Sequence, residues 1–202
     1  MMILLEDKGN KEGEHVEKQT YFKNEGIEVI RAPLPVGDYI VANDLVIDVI
    51  RRKGDRKQEL KKIDFLGSYK VSVDTKASIQ ELVGNICGKQ HARFRDECIL
   101  ANNNNIKLYI LVANADGITC IDDLHKWHNP RLDILKNSNE VIGFWGNGRP
   151  KYRKIRKYPA ATTGATLAKA CNTMQKKYDC EFVFCSNKEQ GQKVLELLGI
   201  EV

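Results

Sequence analysis

The chain alternates short β-like runs with helical stripes along most of its length. Met2 to Glu6 (Met-Ile-Leu-Leu-Glu) reads as a first strand that ends in an acid. Glu14 to Glu25 places Val16, Tyr21 and Phe22 at roughly helical spacing, and Gly26 supplies a C-terminal stop. Ile27 to Arg31 is strand-like again, and Pro33 and Pro35 hold an extended entry into residues 36–41. Leu45 to Ile50 (Leu-Val-Ile-Asp-Val-Ile) is predicted as a further strand. Arg51 to Tyr69, basic and Gly-containing, is predicted as a surface insertion too short for a core of its own.

Val71 to Lys76 (Val-Ser-Val-Asp-Thr-Lys) alternates as a strand, so Asp74 and Lys76 share one face and Thr75 takes the other. Ser78 to Cys87 follows as a helix with Ile79, Leu82, Val83 and Ile86 on one side. Gln90 to Ala101 reads as a second helix, ended by the polar run Asn102 to Asn105. Ile106 to Ala113 is apolar enough to be a central strand. Ile121 to Trp127 is predicted as a short helix with Asp122 and Asp123 in its first turn, and residues 137–163, polar and Gly-rich, as a loop. An amphipathic helix over 164–178, a strand over Cys180 to Cys185 and a last helix over Glu189 to Leu198 complete the pattern. The alternation predicts an α/β fold with a mixed β-sheet, one domain spanning 1–202.

Composition changes this picture little. At 202 residues, 42% hydrophobic and 29% charged, the chain suits one soluble domain with a sizeable core. No stretch approaches the run of about 18 apolar residues that a membrane span needs. The N-terminus lacks a basic n-region, so a cytoplasmic protein is expected. Six cysteines (Cys87, Cys98, Cys120, Cys171, Cys180 and Cys185) form no Cys-x-x-Cys pair and read as reduced, mostly buried thiols.

The net charge of +5 fits a nucleic-acid partner, and its distribution says more than its size. Six cations fall within nine residues of Arg149 to Tyr158: Arg149, Lys151, Arg153, Lys154, Arg156 and Lys157. Tyr152 and Tyr158 are interleaved. Such cations neutralise phosphates while the tyrosines stack on exposed bases; the plainer alternative is a solvated charged loop. Arg51 to Lys62 is a second basic stretch, and Arg93 is placed to reach a phosphate.

The chemistry-bearing set is Asp38, Asp74 and Lys76, with Glu6 and Glu81 as further acids. Two carboxylates beside an ammonium are the minimal kit of a metal-dependent phosphodiesterase: the acids hold a divalent ion against the phosphate and the lysine positions the attacking water. The alternative is a turn aspartate after Gly37 and a solvated strand face. Asp48 is a rival second acid, but Ile50 lies two residues on and the next lysine is Lys53, so Asp74 is favoured. His125 and His128 form a His-x-x-His that reads as a surface helix end rather than a metal site. No phosphate-binding glycine loop occurs, so no nucleotide cofactor is expected.

Several blocks together resemble a family. Leu34-Pro35-Val36-Gly37-Asp38-Tyr39, then Val73-Asp74-Thr75-Lys76, then Ile79-Gln80-Glu81-Leu82-Val83-Gly84-Asn85 is similar to the nuclease domain of XPF-type structure-specific endonucleases. That pattern runs Gly-Asp, Glu-Arg-Lys, then an acid a turn later. Gln90 to Phe94 and Ile106 to Val112 resemble its next helix and central strand, and short bacterial and phage versions are the most similar. The resemblance implies a restriction-endonuclease-like fold of the PD-(D/E)XK superfamily and Mg²⁺- or Mn²⁺-dependent cleavage of branched or flapped DNA. It casts Asp38, Asp74 and Glu6 as metal-binding acids, Lys76 as the catalytic lysine and Glu81 as the trailing acid. Asp74 stands where the family has glutamate, Thr75 where it has arginine, and Glu81 one residue further from Lys76 than usual. Pairing of two copies into a homodimer is what the resemblance allows. A non-catalytic DNA-binding or scaffold module of the same fold is the alternative, and RNA as substrate stays open.

Overall fold

In the computed structural model, residues 2–11, 13 and 16–201 are described. Six strands form one mixed sheet in the order β2-β1-β3-β4-β5-β8, where β1 is Ile3–Asp7, β2 Glu28–Ala32, β3 Tyr39–Val41, β4 Val71–Lys76, β5 Lys107–Asn114 and β8 Glu181–Ser186. β1 and β2 run parallel, β3 is antiparallel to both of its neighbours, and β4, β5 and β8 are mutually parallel. Helices cover both faces. On one side α2 (Asp44–Asp55), α3 (Ile79–Ile86), α4 (His91–Asn103) and α5 (Gly164–Tyr178) pack over Leu5, Ile40, Ile110 and Val112. On the other, α1 (Val16–Asn24) and α6 (Gln190–Leu197) close over Leu4, Tyr39, Val73 and Leu111.

The parallel half sets the working end. Lys76 pairs with Val112, so β4 and β5 finish side by side, and α3 starts immediately beyond β4. Ser78 caps α3, its hydroxyl accepting from the Glu81 amide at 3.2 Å; a cap of this kind stabilises by about 1 kcal/mol. Chain turns and helix N-termini at the carboxyl ends of parallel strands are where α/β sheets place their ligands.

Three sequence expectations are corrected. Leu45 to Ile50 is not a strand but the body of α2: Asn43 caps it by accepting from the Val46 amide at 3.0 Å, and Val46 and Val49, three apart, are the residues it buries. Leu45 and Ile47 face solvent, so the apolar run was helical surface and core in alternation rather than a buried strand. The stretch from Arg51 to Tyr69 is not a surface insertion either. α2 continues to Asp55, a 3₁₀ turn covers Lys62–Phe65, and Phe65 and Tyr69 lie in the main core. Lys53 and Asp64, 2.9 Å apart, tie the turn to α2, and Asn43 Nδ2 donates to Ser68 O at 2.9 Å. Finally, residues 137–163 are largely a two-stranded antiparallel ribbon, β6 (Leu135–Phe144) and β7 (Pro150–Arg156), set apart from the main sheet.

The first helix departs more subtly. Val16 is exposed, and α1 turns Lys18 and Phe22, one turn apart, inward. Glu14 lies outside the described residues. Four cysteines are buried, whereas Cys87 and Cys120 are exposed. Among the described residues, no helix is long and apolar enough to cross a membrane.

Candidate active site

Asp38 is delivered by a turn that only glycine can make. Gly37 has φ 70°, and a Cβ there would lie 2.0 Å from Ser72 Oγ and 3.3 Å from the backbone carbon of Val73. The close approach lets the chain next to it lock onto the sheet. The Asp38 amide donates to Val73 O at 2.9 Å, its carbonyl accepts from the Asp7 amide at 2.8 Å, and the Gly37 amide donates to Glu97 Oε1 at 2.8 Å. The carboxylate is then aimed across β4. Its Oδ2 accepts from the Thr75 amide at 2.8 Å and from the Thr75 hydroxyl at 2.7 Å.

Asp74 and Lys76 leave β4 on one face, as their spacing predicts. Both are buried, at 5% and 7% exposure. Lys76 Nζ donates to Asp74 Oδ1 at 2.8 Å and sits 2.6 Å from Oδ2, and it lies 5.7 Å from the centre of the Phe94 ring. Burial pushes the Asp74 carboxyl above the usual carboxylate range, against the pull of Lys76 and with Asp38 and Glu97 adding to the rise. For Lys76, burial works against the charge, but Asp74, Asp38 and Glu81 together outweigh it, so the ammonium is held above its ordinary value. One ammonium thus stands among three neighbouring acids.

On the opposite face of β4 the structure supplies a second cation that sequence reasoning missed. Lys18 is 4% exposed; its Nζ donates to Thr75 Oγ1 at 3.1 Å and lies 5.2 Å from the Tyr39 ring centre. Burial lowers its pKa, opposed by the charges of Asp38, Glu6, Glu81 and Asp74. Lys18, the Thr75 hydroxyl and Asp38 therefore form one chain of hydrogen bonds that fixes the Asp38 carboxylate. A helical i, i+4 pairing with Phe22 was the available signal, but a lysine on an amphipathic helix ordinarily reads as surface. Glu97, one turn along α4 from Phe94, was missed for the same reason.

A family model, the ERCC4 domain, matches residues 7–198. The chain belongs to the ERCC4 domain family. No curated protein matches. Among solved structures, XPF from Aeropyrum pernix in complex with DNA is similar, with a TM-score of 0.51 at 12% identity over 98% of this chain and 64% of that one. The chain thus spans a little under two thirds of that relative's length, and at this identity the likeness establishes the restriction-endonuclease-like fold.

Seen within the ERCC4 domain, the remaining predicted residues fall into place unequally. Glu6 is buried on the Thr75 face, paired in register with Tyr39, and both its oxygens are occupied: Oε1 accepts from Tyr39 Oη at 2.8 Å and Asn10 at 3.3 Å, Oε2 from Gln19 at 3.2 Å. Glu81 is exposed in the first turn of α3, where its Oε2 accepts from the Ala77 amide at 2.8 Å. Asp48 lies on α2, where it pairs with Arg51 and Arg52. Arg93 is exposed on α4. His128 faces Asp133 at 2.8 Å on the surface and His125 is exposed. The basic run from Arg149 to Lys157 occupies β7 and its flanks, away from the core.

The ERCC4 domain's acids fit a small hard cation of low protein coordination. Among the described residues no three His, Cys, Asp or Glu side chains converge as a ligand cluster. Asp74 Oδ2 is buried and, despite its 2.6 Å approach to Nζ, makes no aligned hydrogen bond. Two acids, one with an oxygen whose close partner is the Lys76 ammonium, suit Mg²⁺ or Mn²⁺, which keep several waters and take one or two carboxylates plus substrate phosphate oxygens.

Proposed function

We propose that this ERCC4 domain is a divalent-metal-dependent DNA endonuclease acting on branched or flapped duplexes. The observation that carries the reading is the pairing of a locked Asp38 with a buried Asp74 whose Oδ2 lacks a hydrogen bond, beside the Lys76 ammonium. Asp38 and Asp74 would hold Mg²⁺ or Mn²⁺, whose contribution there is Lewis acidity toward a phosphodiester and acidification of water. Lys76, kept charged by the surrounding acids, would orient the attacking water and offset charge developing on the phosphate. Thr75 and Lys18 would hold Asp38 in its rotamer, so that one ligand arrives preorganised. Glu81, at the mouth of α3, would act from the rim, while Glu6 braces Tyr39 and the β1 end rather than offering a free oxygen. Phosphates of the flanking duplex would meet Arg93 and the β7 cations.

The similar structure, XPF from Aeropyrum pernix, is a complex with DNA, which supports DNA as the polymer. The alternative, a non-catalytic DNA-binding module, draws on Thr75 standing where the family has arginine. One experiment separates them. Purified protein is incubated with end-labelled flap and branched duplexes in MgCl₂, MnCl₂ or EDTA. Cleavage in either metal and none in EDTA is expected. Asp74→Asn and Lys76→Ala are expected to abolish cleavage with flap binding nearly intact, and Asp38→Asn to weaken Mn²⁺ binding by calorimetry. Wild-type protein that binds the flap but never cuts it would establish the module instead.

A further inference from the structure

The β6–β7 ribbon pairs with nothing in the main sheet, and among the described residues from 135 to 158 not one is buried. An isolated two-stranded ribbon is marginal in water, so its composition calls for a partner. Phe144 is 67% exposed, Trp145 58% and Tyr152 38%. Apolar exposure concentrated on one projecting element marks an interaction site. The same 24 residues hold seven cations and one acid, a charge of +6. With the whole chain at +5, the remainder carries −1. The ribbon is the basic part of the molecule.

The two faces of the ribbon are not equivalent. Residues paired in register share a face, so Phe144, Val141, Asn137 and Leu135 of β6 lie with Pro150, Tyr152, Lys154 and Arg156 of β7. That face has aromatics toward the tip, cations toward the base and no acid. Glu140, the ribbon's one carboxylate, spends its charge on Arg153 of the other face at 3.0 Å. At the tip, Trp145 N–H donates to Arg149 O at 2.8 Å and Lys151 Nζ stands 4.3 Å from the centre of the Trp145 ring.

Stacking platforms interleaved with cations match a polyanion whose bases are unpaired. A duplex would meet the cations but leave Phe144 and Tyr152 without a base face, because its bases are stacked on one another. The root of the ribbon lies against α3: Lys157 to Thr162 line a cavity of about 440 Å³ together with Gln80, Val83, Gly84, Cys87 and Gly88.

We propose that the β6–β7 ribbon is an arm that grips single-stranded DNA, holding the unpaired branch of a substrate on its Phe144–Tyr152–Lys154–Arg156 face. The grip itself is independent of the nuclease reading; only the delivery of that branch to Asp38 and Asp74 rests on it. Fluorescence anisotropy of the full chain in EDTA, with labelled dT20, a blunt 20-bp duplex and a flap, tests it at several salt concentrations. Wild type is expected to bind dT20 and the flap more tightly than the blunt duplex. The Phe144→Ala/Tyr152→Ala variant is expected to lose roughly tenfold or more for dT20 and little for the duplex, since each stacked base is worth that order. Lys154→Ala/Arg156→Ala is expected to flatten the log–log salt slope for dT20 by about 1.4, at about 0.7 per phosphate contact.

All four side chains are exposed, and unchanged thermal melts verify that each variant is folded. Asp74→Asn is expected to bind as wild type does, which separates failure of the arm from failure of the catalytic reading. Equal affinity for dT20 and duplex, or an aromatic variant that binds dT20 like wild type, overturns the proposal. So does sedimentation showing that the aromatic substitutions instead break a dimer.

Discussion

Replacing Gly37 by alanine tests whether the turn before Asp38 is held as tightly as its geometry indicates. Two costs add. At φ 70° a Cβ costs about 1–2 kcal/mol from local sterics. The same Cβ would sit 2.0 Å from Ser72 Oγ and 3.0 Å from Ser72 Cβ. Ser72 is fully buried, with its hydroxyl 2.8 Å from Val36 O and 3.2 Å from Tyr39 O, so it cannot swing aside without breaking that anchor. Overpacking of this kind costs about 1–3 kcal/mol. The expected loss is about 3 kcal/mol, or roughly 6–12 °C in Tm for a chain of this length.

Denaturant titration followed by far-UV circular dichroism measures the loss, and a double-mutant cycle dissects it. Ser72→Ala alone removes one hydrogen bond and is expected to cost about 1 kcal/mol, since Tyr69 Oη still donates to Val36 O at 3.2 Å. In Gly37→Ala/Ser72→Ala the nearest collision is gone while the φ cost remains, so the pair is expected to be less destabilised than the sum by about 1–2 kcal/mol. Additivity to within about 0.5 kcal/mol would falsify the collision. A Gly37→Ala protein as stable as wild type would refute the whole argument for glycine at this position. Because the Gly37 amide and Asp38 backbone share one set of anchors, Mn²⁺ binding is expected to weaken in Gly37→Ala even below its melting range.

Three further outcomes follow from other parts of the fold. Lys18→Met keeps the length of the side chain but removes the cation from among Glu6, Asp38, Asp74 and Glu81; turnover is expected to fall at least tenfold with KM for DNA little changed, Mn²⁺ affinity to rise, and Lys18→Arg to recover part of the rate. Unaltered turnover and Mn²⁺ affinity in Lys18→Met would remove Lys18 from the site. Phe65→Ala, in a segment that reads from sequence as a surface insertion, is expected to cost about 3–5 kcal/mol by chemical denaturation, because Phe65 is fully buried in the main core. Excision of residues 136–155 with a short Gly-Ser turn in their place is expected to change stability by less than about 1 kcal/mol while eliminating dT20 binding, since nothing in the ribbon is buried.

What the sequence discloses about this fold depends on whether each element buries apolar residues at all. β1, β4, β5 and β8 carry short runs buried against both helical layers, α3 and α5 carry a one-sided stripe, and each is legible to within a few residues. α2 is not, because Leu-Val-Ile-Asp-Val-Ile is as short and β-branched as a strand; only Asn43 and Asp44, a cap and a first-turn acid, carry the helical signal, and packing of Val46 and Val49 decides the matter. The ribbon is illegible for the opposite reason. Both its faces meet solvent, so no alternation marks it as β structure, and its glycines and asparagines read as loop.

The site divides along the same line. Asp74 and Lys76 are legible because two residues on a strand must share a face, and Asp38 because Gly37-Asp38 resembles the Gly-Asp block of the family. Lys18 and Glu97 meet those residues across 57 and 60 positions of sequence, through Thr75 and Gly37, and no local pattern encodes such a meeting. Thr75 makes the point most sharply. Read by position it is a lost cation, an arginine of the family's pattern replaced by a hydroxyl. In space it is the junction that joins Lys18 to Asp38, so a positive charge reaches the acids from α1 rather than from β4. In this chain the cation beside the acids is set by location in the fold rather than by column of a motif, and the test of that statement is whether Lys18→Met weakens catalysis in a chain whose Asp38, Asp74 and Lys76 are untouched.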